Sequence, residues 1–137
     1  MTNNLYIAEL LIRVFVGILF LFQGYDKLFR VKLSGVIETF KDDARNHHVP
    51  TSFIKGAAYY TSIAEFFCGL FLLLGLFTNY TLYALGIDLI LVAIAFSYVE
   101  PMWDLKHVFP RFALLVTLLL LPTEYRIISF DHFFNLK

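Results

Sequence analysis

Among the ionisable side chains inside apolar stretches of the sequence, four could exchange protons or bind a polar ligand. They are Arg13, Glu65, Asp88 and Arg111. Glu65 lies well inside residues 61–78, a stretch apolar enough to enter a bilayer. A charged side chain at the centre of a bilayer costs about 2.5 to 3.5 kcal/mol on insertion scales. Each acid must therefore be neutral, paired with a cation or turned towards a polar cavity between helices.

The composition is that of an integral membrane protein. Hydrophobic residues make up 59% of the chain and the mean hydropathy is +0.71, whereas apolar usage in soluble domains is roughly 45 to 50%. The net charge is zero and the basic residues form no run, which argues against a nucleic-acid partner. Cys68 is the single cysteine, so an intramolecular disulfide or a cysteine-rich metal site is excluded. His47 and His48 lack further ligands at suitable spacing, and no metal site is predicted.

The apolar segments predict an all-α membrane protein with four transmembrane helices in an antiparallel bundle. The predicted spans are residues 5–29, 56–77, 80–98 and 106–121 of a single domain, 1–137, since about 20 apolar residues cross a bilayer. Residues 30–55 are polar and predict a long loop between helices 1 and 2, in which residues 35–45 form a short amphipathic helix on the membrane surface. Residues 122–137 are predicted to lie along the interface, and Trp103 is predicted to lie in the interfacial aromatic belt.

The first span carries its polar and small residues on one face. Glu9, Arg13, Gly17, Gly24 and Lys27 follow steps near 3.6 residues, so this face is predicted to look inward. Glu9 and Arg13 are four residues apart and can pair on the same helix. The two glycines allow a neighbouring helix to approach closely.

The helix boundaries follow from prolines and short connections. Residues 75–80 form a very short turn, so the second and third spans are predicted to make an antiparallel hairpin. Pro50 is predicted to precede the second helix, with Thr51 or Ser52 as its cap. The fourth span is predicted to begin at or near Pro110.

Two interpretations of the buried charges remain open. In the first, the two acids pair with the two arginines in a structural network, which fixes how the helices pack. In the second, the cluster lines a cavity for a quinone head group, a proton relay or an ion, because an arginine can donate to a quinone carbonyl and a desolvated acid can exchange protons. The candidate ligand site consists of Arg13, Gln23, Lys27, Glu65, Asp88 and Arg111.

With these positions located, the chain resembles the DoxX family of small four-helix membrane proteins. The matching residues are, in order, Arg13, Gly17, Gly24, Lys27 and Leu28, Val49 and Pro50, Ala64 and Glu65, Gly69, residues 74–78, Arg111, and residues 129–131. The resemblance implies a bacterial inner-membrane protein, in a family associated with subunits of thiosulfate:quinone oxidoreductase and of terminal quinol oxidase systems. It also implies that Arg13, Lys27 and Glu65 are part of the family's polar pattern.

Three functions are therefore considered. The first is a quinone-interacting or accessory subunit of a membrane oxidoreductase, with a quinone as candidate cofactor and catalysis shared with other subunits. The second is a non-catalytic membrane scaffold or assembly factor, and the third is a small proton or solute transporter. The expected partners are membrane lipid, a larger membrane or periplasmic protein, and a second copy of the chain.

The basic residues also predict an orientation. More lysines and arginines flank the loops at residues 30–55 and 100–107 than the terminal side of the bundle. The positive-inside rule therefore places the long loop in the cytoplasm and both termini outside.

Overall fold

A computed structural model describes residues 2–46, 49–99 and 105–134, and these residues are almost entirely helical. His47, His48 and Trp103 lie outside the described residues. The α-helices are α1 (Thr2–Tyr25), α2 (Lys32–Asn46), α3 (Thr51–Leu74), α4 (Thr78–Val99), α5 (Leu105–Leu120) and α6 (Phe130–Phe133). A π-helical turn, Asp26–Arg30, extends α1, and a 3-10 turn, Thr123–Tyr125, follows α5. The prediction of an all-α membrane protein is confirmed.

In the part of the chain that the structure describes, three helices are long and apolar enough to cross a membrane. They cover Asn4–Arg30, Thr51–Leu74 and Thr78–Ala95. A shorter apolar helix covers Val108–Leu120, which is less than the ~20 residues that cross a bilayer without tilt or thinning. The fourth crossing therefore stays a prediction.

The segment between the first two spans is helical over most of its length and not a long loop. α2 occupies Lys32–Asn46 and packs against α3, so the amphipathic helix predicted at residues 35–45 is present and longer. Lys32 adopts a left-handed conformation with φ 59°, which separates the π-helical turn from α2. The segment is polar, yet no proline interrupts residues 32–46, and so helix is sterically allowed throughout.

The apolar helices α1, α3, α4 and α5 pack against one another in a ring. α1 contacts α3 and α5, and α4 contacts the same two helices. Their shared core is formed by fully or nearly fully buried residues: Val16, Phe20, Leu72, Leu82, Leu85, Leu89, Val108, Leu115 and Leu118. The polar residues that lie on the same inward faces as this core are therefore also held between the helices.

Glycines set the closest approach, between α1 and α3. A Cβ atom added at Gly24 would lie 2.4 Å from the backbone nitrogen of Phe66, and one at Gly69 would lie 2.3 Å from that of Leu21. Gly17 is nearly as crowded, with Leu73 at 2.9 Å. The predicted close packing at Gly17 and Gly24 is therefore confirmed, and Gly69 supplies the matching surface on α3.

The connection between α3 and α4 is a tight turn. Gly75 ends α3 with φ 67°, and its N–H donates to the Leu72 carbonyl while the Leu76 N–H donates to the Phe71 carbonyl. This is the Schellman pattern, which favours glycine at the left-handed position. Phe77 follows with φ 48°, and α4 begins at Thr78.

Two predicted helix starts differ from the structure. Pro50 itself occupies the N-cap of α3 with extended backbone and no side-chain cap, and Thr51 is the first helical residue. α5 begins at Leu105, within one residue of the predicted span 106–121 but five residues before Pro110, which therefore lies inside the helix. Proline within a membrane helix is tolerated where neighbouring helices compensate for the lost backbone bond.

Candidate functional site

An ion pair between Lys27 and Glu65 joins the π-helical turn to the middle of α3. The Lys27 Nζ lies 2.8 Å from Glu65 Oε1 and 2.7 Å from Oε2. Gln23 Nε2 donates to the same Oε1 at 2.9 Å. The Glu65 side chain is 1% exposed and the Lys27 side chain 23%, so a buried carboxylate is compensated by a cation that reaches the edge of the bundle. The four residues Gln23, Lys27, Glu65 and Asp88 are called the acid cluster below.

Asp88 on α4 is the uncompensated member of the acid cluster. It is fully buried, and neither carboxylate oxygen has a hydrogen-bond partner among the described residues. Its electrostatic neighbours are Glu65, which disfavours a negative charge on Asp88, and Lys27, which favours one. The Ser62 hydroxyl, one helical turn before Glu65, is likewise buried and unpartnered. The acid cluster therefore holds unused hydrogen-bonding oxygens inside the bundle, a costly arrangement for a purely structural core.

A second group of charges lies at the other end of α1. Arg13 and Glu9 are both 1% exposed, and the Arg13 Nε donates to Glu9 Oε1 at 2.9 Å. Arg126 approaches the same oxygen at 3.9 Å. Glu9, Arg13 and Arg126 are called the arginine cluster. Arg13 and Gln23 are separated by ten residues, and so by about 15 Å along the helix axis.

Arg13 connects three segments of the chain. Its Nη1 donates to the Leu72 carbonyl at 3.2 Å and, at 3.5 Å, to that of Leu73, in the last turn of α3. Its Nη2 donates to the Ile128 carbonyl. A cation at a helix C-terminus satisfies carbonyls that lack intrahelical partners and complements the helix dipole. Arg13 thereby ties α1 to the end of α3 and to the C-terminal residues.

The residues after α5, 121–134, are called the tail and fold back onto the turn between α3 and α4. The Asp131 carboxylate accepts from the backbone N–H groups of Phe77 at 2.6 Å and Thr78 at 2.7 Å, and the Asp131 N–H donates to the Gly75 carbonyl at 2.9 Å. Arg126 Nη1 donates to Asn79 Oδ1 at 2.7 Å. Burial lowers the pKa of the Arg126 guanidinium, and the carboxylates of Glu9 and Asp131 oppose that shift. Arginine stays charged at neutral pH even so.

A partly open groove of about 600 Å³ lies beside the arginine cluster. It is mostly apolar, and its lining consists of Leu10, Arg13, Leu73, Leu74, Ile127, Ile128, Ser129, Phe130 and Phe133. Ligand pockets in proteins have volumes of roughly 300 to 1,000 Å³ and combine apolar walls with a few polar groups. The groove has these properties, and Arg13 is its charged wall residue.

Comparison with known families identifies the chain. The DoxX family model matches residues 8–98, well over half of the sequence. The chain belongs to the DoxX family. No curated protein and no solved structure gave a significant match. The resemblance drawn from the sequence is confirmed.

The family match covers some, but not all, of the charged and polar residues described above. Residues 8–98 include the whole acid cluster together with Glu9 and Arg13. They exclude α5, with Arg111, and the tail, with Arg126 and Asp131. The groove therefore combines walls from the matched region and from the tail.

The six residues of the predicted ligand site do not form one cluster. Gln23, Lys27, Glu65 and Asp88 lie together, whereas Arg13 lies in the arginine cluster. Arg111 is half-buried and interacts electrostatically with Glu65, but no ion pair joins it to an acid among the described residues. The predicted pairing of the acids with the two arginines is replaced by pairing of Glu65 with Lys27. The predicted pair of Glu9 with Arg13 is present.

Sequence reasoning missed Arg126, Ser129 and Asp131 as members of an organised site. Ser129 is 8% exposed, and its hydroxyl donates to the Arg126 carbonyl and accepts from the His132 N–H. A serine two residues before an aspartate is a local capping signal. It predicts the short helix α6, but it does not predict that Asp131 caps a helix 53 residues away.

Proposed function

We propose that this DoxX protein is an accessory, quinone-interacting subunit of a membrane oxidoreductase system, and that the quinone ring binds in the groove beside Arg13. The observation that carries the proposal is the groove itself, about 600 Å³ in volume with Arg13 in an otherwise mostly apolar lining. A quinone head group is a planar ring with two carbonyl acceptors. An apolar slot with one fixed donor suits that chemistry.

The hydrogen-bond inventory of Arg13 supports this proposal. A guanidinium carries five N–H donors. One is used on Glu9, two on the carbonyls of Leu72 and Leu73, and one on Ile128. Because these bonds fix the guanidinium, we propose that the second Nη2 hydrogen, which no acceptor among the described residues takes, donates to a ligand carbonyl.

The membrane placement proposed with this function has four spans in an antiparallel bundle. The span at residues 106–121 completes the set, and the inner membrane of a bacterium is the proposed location. The polar segment 30–55 faces the cytoplasm and both termini face outward. A larger membrane or periplasmic protein supplies the remaining redox chemistry, and a second copy of the chain is a further candidate partner.

The experiment that tests the proposal blocks the groove without removing a hydrogen bond. Leu74→Trp enlarges a side chain that lines the groove, and Phe71→Trp is the matched control on the same face of the helix end, since Phe71 is 38% exposed and Leu74 40% but Phe71 does not line the groove. Each protein is purified in mild detergent, and bound quinone is measured by extraction and mass spectrometry. We expect quinone with the wild type and Phe71→Trp and at least a ~10-fold loss with Leu74→Trp, equivalent to about 1.4 kcal/mol. Wild-type protein free of quinone, with no affinity for added quinone, would contradict the proposal.

Glu65→Gln separates the groove from the acid cluster as the ligand site. The acid cluster is about 15 Å from Arg13 along α1, so the groove proposal expects Glu65→Gln to retain quinone wherever the variant remains folded. Loss of quinone from folded Glu65→Gln, with normal binding in Leu74→Trp, would assign the ligand to the acid cluster instead.

A second candidate function is proton or ion passage through the acid cluster. Asp88 is the residue that favours it, because it is fully buried, its two oxygens have no partner in the described part of the chain, and intramembrane acids commonly mark ion and proton pathways. Liposomes that contain the protein should then show faster proton or sodium flux than empty liposomes, and Asp88→Asn should abolish the difference. Equal flux in both preparations would remove this candidate.

A further inference from the structure

The tail supplies more than half of the residues that line the groove. Five of the nine are Ile127, Ile128, Ser129, Phe130 and Phe133. The opposite walls come from Leu10 and Arg13 on α1 and from the end of α3. Since the family match ends at residue 98, the tail wall is a feature of this chain that lies outside the matched region.

Polar contacts hold the tail in place around Phe133, in addition to the packing of Leu121 against the core and of the Tyr125 ring against Tyr6. Asp131 binds the turn before α4, Arg126 binds Asn79, and Arg13 binds the Ile128 carbonyl. The Ser129 hydroxyl caps α6 by accepting from the His132 N–H at 3.2 Å. The backbone around Phe133 is therefore positioned by polar anchors, independently of any burial of its ring.

The Phe133 ring itself is 87% exposed. A phenyl group gains roughly 1.5 to 3 kcal/mol when it is buried, and Phe133 obtains almost none of this from the folded chain. Phe130 is 46% exposed and stacks on Phe134, at 6.0 Å between ring centroids and 11° between planes. Of the two aromatic residues in the groove wall, Phe133 is thus the one whose ring stacks on no other ring within the described ranges.

We propose that Phe133 determines the specificity of the groove for a planar, unsaturated ring by stacking on one face of that ring while Arg13 donates to a ring carbonyl. This inference rests on the proposed function, because it assigns the recognition of the quinone ring to a particular side chain. Offset stacking between π systems contributes more than the buried area alone. The Arg13 donor recognises an oxygen acceptor on the ligand, whereas stacking on Phe133 recognises the flat ring that carries this oxygen.

The experiment compares two probes on three proteins. The probes are a benzoquinone with a decyl chain and the corresponding saturated cyclohexane-1,4-dione with the same chain, which keeps both carbonyls and loses the planar ring. The proteins are the wild type, Phe133→Ala and the control Phe109→Ala, whose side chain is 71% exposed on α5 and does not line the groove. Affinities are measured by equilibrium dialysis of detergent-solubilised protein. Because both phenylalanines are largely exposed, both variants are expected to fold.

We expect Phe133→Ala to weaken quinone binding by about 3- to 10-fold and to leave binding of the saturated dione unchanged. Phe109→Ala should change neither affinity. Wild-type affinity of Phe133→Ala for the quinone would overturn the inference while the proposed function stands, and so would equal weakening for both probes, which indicates a simple apolar contact. A wild type that binds neither probe would overturn the proposed function as well.

Discussion

Asp131 and Thr78 are 53 residues apart in sequence, and the carboxylate of the first caps the helix that begins at the second. Asp131 Oδ2 accepts from the Thr78 N–H at 2.7 Å, and Oδ1 accepts from the Phe77 N–H at 2.6 Å. A helix N-terminus leaves its first N–H groups unpaired, and a carboxylate there is also favoured by the helix dipole. The tail thus completes α4 from outside, at the turn where Phe77 adopts a positive φ of 48°.

Removal of this cap should destabilise the protein. Asp131→Ala leaves two backbone N–H groups without their acceptor, and we expect the free energy of unfolding to fall by about 1 to 2 kcal/mol. Unfolding can be followed by circular dichroism as SDS is added to protein in mild detergent. Glu124→Ala, which removes an exposed acid from the same tail, is the control and should stay within about 0.5 kcal/mol of the wild type. Equal stability of the two variants would show that the tail does not depend on Asp131.

The crossing of α1 and α3 should not tolerate a methyl group. Gly24→Ala would place Cβ 2.4 Å from the Phe66 backbone nitrogen, and because backbone cannot move aside as a side chain can, the helices must separate. We expect a loss of about 3 kcal/mol in unfolding free energy, the upper end of the range for overpacking.

Gly86→Ala is the matched control for this crossing. It lies in another apolar helix, α4, where the nearest atom to the added Cβ would be Leu115 Cδ2 at 3.7 Å, an ordinary contact. Alanine also has the higher helix propensity, by about 1 kcal/mol, so this variant should be as stable as the wild type or more so. Comparable losses in the two variants would mean that glycine is needed for a reason other than helix separation.

The close packing at Gly24 could be predicted because helical periodicity follows directly from sequence. Steps near 3.6 residues place Glu9, Arg13, Gly17 and Gly24 on one face of α1, and the structure buries that face. The pairing of Glu65 could not be predicted in the same way. Periodicity gives the direction of a side chain around its own helix axis, but it does not give the position of one helix along the axis of its neighbour.

The positions of the helices along their axes decide which cation pairs with Glu65. The polar segment before α3 is itself a helix, α2, packed on α3, and α1 continues through the π-helical turn that carries Lys27. This arrangement brings Lys27 to Glu65 and leaves Arg13 at the end of α3. The docking of the tail could not be predicted from the sequence either, because a cap is recognised in sequence only when it is adjacent to its own helix.

The pair of Lys27 and Glu65 should be coupled in stability. Lys27→Met leaves a buried carboxylate without its cation, and we expect a loss of about 3 kcal/mol in unfolding free energy. Adding Glu65→Leu to Lys27→Met should recover part of that loss, since an apolar pair avoids the unpaired charge. A double-mutant cycle, measured by SDS unfolding, gives the coupling directly.

The exposed pair of Arg30 and Asp26 provides the comparison for this cycle. Its side chains are 74% and 46% exposed at a distance of 3.1 Å, and exposed pairs typically contribute less than about 1 kcal/mol. The corresponding cycle should therefore give a coupling near zero. Equal coupling in the two pairs would mean that the Lys27 pair is effectively solvated.

Glu65 and Asp88, the two acids of the acid cluster, should respond in opposite directions to the same chemical change. Glu65→Gln removes the charge that compensates Lys27, and stability should fall by about 1 to 3 kcal/mol. Asp88→Asn removes a carboxyl group whose two oxygens have no hydrogen-bond partner, and stability should rise, by about 1 kcal/mol, because a neutral amide is less costly to bury than a carboxylate. Both variants can be measured by SDS unfolding in the same detergent. A loss of stability in Asp88→Asn would show that the carboxylate has a stabilising partner, and it would favour a structural role of Asp88 over an ion or proton role. A gain would indicate that the chain retains Asp88 at a cost in stability, as functional groups often are.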